Sequence, residues 1–378
     1  MAKPLIAMVV GTRPDAIKSA PVAIEILKYK NECSFLLIST GQHREMLEQA
    51  LGAFGLKADI DLGIMRHGQT LGEVTAGAMM GLEKAFIEHK PDYVFAQGDT
   101  TTTFVASLAA FYQRIPFGHI EAGLRTPHID NPFPEEFNRR ATGLIARHHF
   151  APTTWAKENL LREAKDESTI FVTGNTGIDS VRKMAQIASD EWYPEYPGRV
   201  CLLTTHRREN WGEPQRNIAE AAKELASRFP DTLWIVPMHR NPLVRETLIG
   251  TLGNNERFKL IEPPDYAPFV KLMKRSHLIL TDSGGVQEEA PAFGIPVLVM
   301  RETTERPEGV EAGAAKLVGT DRKTIVEEGA KLLSDPEAYR AMSQTVSPYG
   351  DGKAAERIRY VTLGSLGIKT DMEKMWTF

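Results

Sequence analysis

The chain has 378 residues, more than the roughly 250–300 at which one hydrophobic core stops growing, so two domains are expected. Its 42% hydrophobic and 25% charged residues are those of an ordinary soluble globular protein. A net charge of -4 and a pI near 6.2 leave no footprint for nucleic acid or an anionic membrane, so a phosphate-bearing partner must be met by a local basic pocket.

Cys33 and Cys201 are the only cysteines and form no CxxC pair, which argues against a disulfide framework or a cysteine metal site and fits a reducing cytoplasm. The opening "MAKPLIAMVVGTRPD" has an apolar run too short for a signal peptide or membrane span and reads as a first strand, 5–10. Further strands are expected at 34–39, 93–97, 117–121 and 148–152. Helical patterns fill 15–29, 70–89, 100–113 and 134–147. The second half repeats the rhythm with "TIFVT", "VCLLTT", "TLWIVP", "FKLIE", "HLILT" and "PVLVM". Short β-branched runs alternating with helices predict an α/β protein: two doubly wound parallel-sheet domains, ligands at the carboxyl ends of strands, and a cleft between the domains. "DEWYPEYPG", 190–198, reads as a surface loop early in the second domain, and the boundary is expected near 170–175.

The strand ends carry the chemistry. After "HLILT" come Asp282, Ser283, Gly284 and Gly285, a strand-to-helix turn whose first N–H groups and dipole suit a diphosphate; Glu289, further along the helix, can accept from a vicinal diol such as a ribose. An Asp/Ser helix cap with packing glycines is the competing reading. The absence of GxGxxG speaks against the usual NAD site. "GTRPDAIKSAP" brings Arg13 and Lys18 to a helix start, where cations oppose the dipole unless an anion joins them. "QGDTTTT", "GHIEAGLRT" and "PFPEEFNRR" deliver Asp99, Glu121, Glu135 and Glu136. Glu121, closing an apolar strand, is the hardest of these to explain as a cap. "TTHRREN" places His206 where an imidazolium can donate to phosphate. The H-x-E pair His119 and Glu121 lacks the P-C-x-x-C partner of zinc deaminases, so no metal is expected.

Together, "GTRPDAIKSAPV", "GQHREML", "QGDTTTT", "HIEAGLRT", "PFPEEFNRR", "THRREN", "DSGGVQEEAP" and "RETTERPEG" resemble the non-hydrolysing UDP-N-acetylglucosamine 2-epimerases over essentially the whole chain. The resemblance implies a GT-B architecture of two Rossmann-like domains, 1–172 and 173–354, with a last helix at about 355–378 crossing back to the first, and a homodimer. It implies that Ser283, Gly284 and Gly285 bind the diphosphate, Glu289 the ribose, and Arg13 and His206 the phosphates, with Lys18 in support. Asp99, Glu121 and Glu135 form the acid/base and cation-stabilising set, and no cofactor is needed. The implied reaction expels UDP from C1 as C2 loses its proton, then returns UDP to the glycal.

Gln42, Glu136 and His239 are compatible with a second, activating nucleotide-sugar site. Glu45 and Gly68 stand where activated members of the family carry Gln and Arg, which predicts weak or absent activation. Nothing in the sequence reads the 2-acetamido group, so UDP-glucose or another nucleotide sugar stays open, as does a GT-B glycosyltransferase.

Overall fold

The computed structural model describes residues 3–41, 44–66, 68–189, 191–304 and 306–370. They form two compact units, one running to Ser180 and resuming at Gly350, the other Val181–Tyr349.

In the first unit the order is β1 (Leu5–Val10), α1 (Arg13–Leu27), β2 (Ser34–Ser39), α2 (Arg44–Ala53), β3 (Ile60–Asp61), α3 (Leu71–His89), β4 (Tyr93–Gln97) and α4 (Thr101–Tyr112). Then follow β5 (Phe117–Ile120), α5 (Glu135–Ile145), β6 (His148–Ala151), α6 (Thr154–Arg162), β7 (Ile170–Val172) and α7 (Thr176–Ile187), which belongs to this unit as far as Ser180. The seven strands are all parallel, in the order β3-β2-β1-β4-β5-β6-β7. Strands such as "YVFAQ" are buried along their whole length because helices cover both faces, hence their unbroken apolar character. The core between sheet and helices gathers Val9, Ile38, Leu82, Phe86, Val94 and Phe117. Helix starts follow capping chemistry: Thr70 and Glu73 form a reciprocal box at the head of α3.

The second unit contains β8 (Arg199–Thr204), α8 (Glu213–Arg228), β9 (Thr232–Pro237), α9 (Pro242–Leu252), β10 (Phe258–Ile261), α10 (Tyr266–Arg275) and β11 (Leu278–Thr281). It continues with α11 (Gly284–Glu289), β12 (Val297–Val299), α12 (Pro307–Glu311), β13 (Ala315–Leu317), α13 (Arg322–Ser334) and α14 (Pro336–Ser343). Its six parallel strands run β10-β9-β8-β11-β12-β13 around a core with Trp234, Leu225 and Leu280.

The last described helix, α15 (Ala354–Ser365), packs on α1 in the first unit. Its N-terminus is capped from a distance: Asp179 accepts from the N–H groups of Ala354 and Ala355 at 3.2 and 2.9 Å. Arg359 stacks on Tyr29 and donates to its hydroxyl. The helix stops earlier than the expected 378. Gly367 takes φ +75 and Ile368 N–H returns to Leu363 O, a glycine-terminated helix end, and residues 371–378 lie outside the described residues.

Both sheets reverse winding direction once, between β1 and β4 and between β8 and β11. In doubly wound sheets the crevice at that reversal, beyond the carboxyl ends of the strands, is the ligand position. The loops after β1 and β4 are "GTRPD" and "GDTT"; those after β8 and β11 are "THRREN" and "DSGG". The sheet topology thus brings the candidate motifs together in pairs, one pair per unit.

Candidate active site

At the first reversal, a buried carboxylate joins the two loops. Asp15 forms a capping box with Thr12 and also accepts from Gly11 N–H and from the Thr100 hydroxyl at 3.2 Å. Burial pushes its carboxyl up to about 6, against the pull of those donors. Gly11 must be glycine because an added Cβ would fall 2.2 Å from the Thr102 Oγ1. The turn so tied presents Arg13 as the first residue of α1, half-buried and with no ion-pair partner among the described residues. A fixed, unpaired guanidinium at a helix start is a binding position for an anion.

Lys18, one turn later, reaches across to Glu121, its Nζ 2.7 Å from Oε1. Gln97 Nε2 donates to the other oxygen of Glu121. The β4–β5 register explains this, since Gln97 is paired with Ile120, the residue before Glu121. Both contacts are donors, which favours the carboxylate form of the group they hold. Glu121 itself sits just beyond β5, which ends one residue short of the expected 121, with φ +63. A left-handed conformation costs a side-chain-bearing residue about 1–2 kcal/mol and aims the carboxylate toward the strand-end crevice.

Asp99 pairs with Arg139 at 2.6 Å, and its carbonyl accepts from Asn138 Nδ2 at 2.9 Å, so α5 docks on the loop after β4. Glu135 opens α5 one turn before Arg139 and makes no hydrogen bond or ion pair among the described residues. Glu136 is different. It is fully buried, accepts from Thr126 N–H, and pairs with Arg139 and Arg140 at 3.2 and 2.6 Å, bracing the segment after Glu121 against α5. His119 is held neutral by burial, its pKa near 3, and its Nε2–H donates to Gly98 O beside Asp99. Among the described residues no group of three His, Cys, Asp or Glu side chains is placed to hold a metal.

At the second reversal neither predicted cap caps α11. Ser283 makes no side-chain cap bond, and the Asp282 carboxylate turns back to the loop after β8, accepting from the N–H groups of His206 and Arg207, from Thr205 Oγ1 and from Asn210 Nδ2. The competing helix-cap reading of this turn therefore loses its basis. Gly285 faces open space, while Gly284 backs onto the Arg306 guanidinium, 3.2 Å from where a Cβ would stand. The carboxylate pair divides: Glu288 is buried and paired with Arg306 at 2.7 Å, and Glu289 accepts from the Tyr266 hydroxyl at 3.3 Å. His206 Nδ1 lies 3.1 Å from Asp282, and the His206 and His239 rings stack 5.9 Å apart. Burial, then the charge of His206, holds His239 below the ordinary histidine range. Gln42 lies outside the described residues.

The first crevice therefore gathers Arg13, Lys18, Asp99, Glu121 and Glu135; the second gathers His206, Ser283, Gly284, Gly285 and Glu289. Sequence reading overlooked Asp15, Gln97, Arg139 and the inward role of Asp282. Only Asp15 carried a local signal, the Thr-x-x-Asp spacing of a capping box. The arrangement can hold an anion on cations and helix amides while carboxylates act on an adjacent carbon centre.

A family model described as UDP-N-acetylglucosamine 2-epimerase matches residues 25–362. The chain is 49% identical to the UDP-N-acetylglucosamine 2-epimerase of Bacillus subtilis (strain 168) over 379 residues, covering 100% of both chains. It is similar to the solved UDP-GlcNAc 2-epimerase of Neisseria meningitidis bound to UDP-GlcNAc, with TM-score 0.85, 46% identity, and coverage of 95% of this chain and 100% of that one. It is likewise similar to the S. aureus MnaA–UDP co-structure, with TM-score 0.89, 41% identity, and coverage of 99% and 100%. With its two doubly wound units and these full-length likenesses, the chain belongs to the UDP-N-acetylglucosamine 2-epimerase family.

Proposed function

We propose that the protein interconverts UDP-N-acetylglucosamine and UDP-N-acetylmannosamine by eliminating UDP across C1–C2 and adding it back. The observation that carries the reading is the content of the two reversal crevices: carboxylates fed by β4, β5 and α5 beside the unpaired Arg13 in one, and the glycine turn with His206 in the other. The UDP-GlcNAc bound to the Neisseria relative supports the substrate.

The C2 hydrogen of the sugar has no adjacent carbonyl, so simple deprotonation is too costly. When the C1–O bond to UDP breaks, positive charge develops at C1, the C2 proton passes to a carboxylate, and its bonding pair becomes the C1=C2 bond of a glycal. Reprotonation of C2 on the opposite face and return of the UDP oxygen to C1 complete the epimerisation. No hydride changes hands, so the route calls for no redox cofactor.

His206, with the amides of Ser283–Gly285, is suited to the charge growing on the leaving diphosphate, and Arg13 is suited to an anion at the start of its own helix. Glu289 takes the ribose diol. Glu121, clamped by Lys18 and Gln97, is the fixed negative charge suited to C1, and Asp99 and Glu135 suit the two proton transfers at C2. Lys18 thereby acts through Glu121 as well as through the phosphates.

The outer helices of the first unit expose Met80, Phe111, Tyr112, Phe137 and Leu144 on α3, α4 and α5, which pack side by side; this apolar face supports a homodimer. Sedimentation should then give twice the 42.0 kDa chain mass, and Leu144→Glu should shift it to the monomer. Among the described residues no helix is long and apolar enough to cross a membrane, and nucleotide-sugar chemistry of this kind fits the cytoplasm. Proton NMR of the purified protein with UDP-GlcNAc and no added cofactor tests the function, with UDP-glucose in a parallel tube. An equilibrium mixture containing the manno epimer is expected from the first tube. Stoichiometric free UDP, or no new sugar nucleotide, would overturn the reading.

A further inference from the structure

Asp282 was read from the sequence as part of a phosphate turn, yet its carboxylate is fully buried and engaged elsewhere. Thr205 Oγ1, the N–H groups of His206 and Arg207, and Asn210 Nδ2 all donate to it within 2.9–3.0 Å. The imidazole adds Nδ1 at 3.1 Å from Oδ1, while the ring stays 39% exposed. Asn210 also donates to Met300 O at the end of β12, and Trp211 Nε1 reaches His206 O at 3.3 Å. The loop from 205 to 211 is thus wrapped around one carboxylate at the reversal between β8 and β11.

Backbone donors and Asn210 would suffice to anchor the loop. The imidazole contact does something further, because a carboxylate offers only acceptors. Beside it, neutral histidine must carry its proton on Nδ1, and a charged histidine keeps that proton while Nε2 exchanges the other. The charged and titratable groups beside His206 are Asp282 from the loop after β11, His239 from the loop after β9, and Arg207, next to it in the chain. Burial, then the neighbouring His206, lowers the pKa of His239, which works against two adjacent charges in the stacked pair.

We propose that Asp282 is a positioning residue that fixes the Nδ1–H form of His206 and turns Nε2 outward as the atom that meets the departing UDP phosphate. The catalytic consequence rests on the epimerase reading; the tautomer does not. With the ring protonated on both nitrogens, Nε2–H hydrogen-bonds to the phosphate oxygen as the C1–O bond breaks, and the proton stays on Nε2 as UDP re-adds, so the histidine is unchanged after a turnover. A neutral amide at position 282 would face Nδ1 equally well with a donor, and would let the ring take the other tautomer.

Long-range proton–nitrogen NMR of the full-length, nucleotide-free protein, well above the ordinary imidazole range, reads the tautomer. A His206→Gln spectrum assigns the signal. Wild type should show Nδ1–H, and Asp282→Asn should move the population toward Nε2–H. With UDP-GlcNAc, Asp282→Asn should lower kcat by about a hundredfold or more while KM changes by no more than about threefold. Nε2–H in the wild type, an unchanged tautomer in Asp282→Asn, or turnover of that variant at the wild-type rate would each overturn the proposal. Should the variant fail to fold, the wild-type tautomer alone decides. Because it is measured without substrate, it can fail while wild-type epimerisation stands, and the reverse.

Discussion

In the first unit the reversal crevice receives two of its acidic groups already matched to cations brought from other elements: Lys18 of α1 on Glu121, Arg139 of α5 on Asp99. In the second, one buried carboxylate organises a short basic loop from within, and the glycine turn beside it is left uncovered. Identical winding supports opposite electrostatics because the sheet decides only where the loops emerge; the loop residues decide what they offer. Under the proposed function, the carbon chemistry falls to the first crevice and the binding of the leaving group chiefly to the second.

The largest expected effect tests that separation directly. Glu121→Gln keeps the shape of the side chain and removes its charge, so kcat should fall by about a thousandfold, while calorimetry finds UDP bound about as tightly as by the wild type. Equal losses in UDP affinity and kcat would erase the distinction between the crevices. Next, Gly285→Val adds a side chain into open space, with no neighbour within 4 Å to disturb folding. UDP should bind about 10–100-fold more weakly, or about 1.4–2.8 kcal/mol, with the melting temperature unchanged; undiminished UDP affinity would remove the glycine turn from the diphosphate site.

A smaller effect concerns the tether in the first crevice. The folded-state pKa of Asp15, about 6, lies above the 3.8 of a free aspartate, so the native state binds its proton more tightly than the unfolded chain. The associated stability is fully present below about pH 4 and is lost as pH rises through about 6, at most about 3 kcal/mol. Between pH 4 and 7 the melting temperature of the wild type should therefore decline relative to Asp15→Asn; parallel curves would contradict this. Smallest of all is activation by substrate. With Glu136 committed to Arg139, Arg140 and Thr126, and with Glu45 and Gly68 in place of Gln and Arg, the rate should rise hyperbolically with UDP-GlcNAc. Sigmoidal kinetics would show that a second nucleotide-sugar site operates.

The elements most legible in the sequence were those whose physics is local. Apolar runs such as "YVFAQ" and "TLWIVP" stood out because both faces of those strands are buried, and the alternation with helices announced parallel sheets. The two-residue β3 and the three-residue β13 were missed, being too short to carry a period. At the site, residue types at strand ends were readable and their partners were not. Lys18 and Glu121 are 103 residues apart, Thr205 and Asp282 are 77 apart, and such pairings exist only once the strand order is known. Asp282 shows the limit most clearly, since its neighbours in sequence suggest a helix cap and its neighbours in space are a histidine loop. The positive φ of Glu121 had no local signal either, since the contacts its side chain makes with Lys18 and Gln97 come from distant parts of the chain.

Epimerisation by elimination requires that the C2–H bond be broken and remade during turnover, so exchange of that hydrogen with solvent is the decisive measurement. Wild-type protein is incubated with UDP-GlcNAc in D2O without added cofactor and followed by proton NMR. Deuterium is expected at C2 of both epimers as the manno form appears, with little free UDP accumulating. Epimer formed with its C2 hydrogen retained, or no exchange and no epimer at all, would contradict elimination.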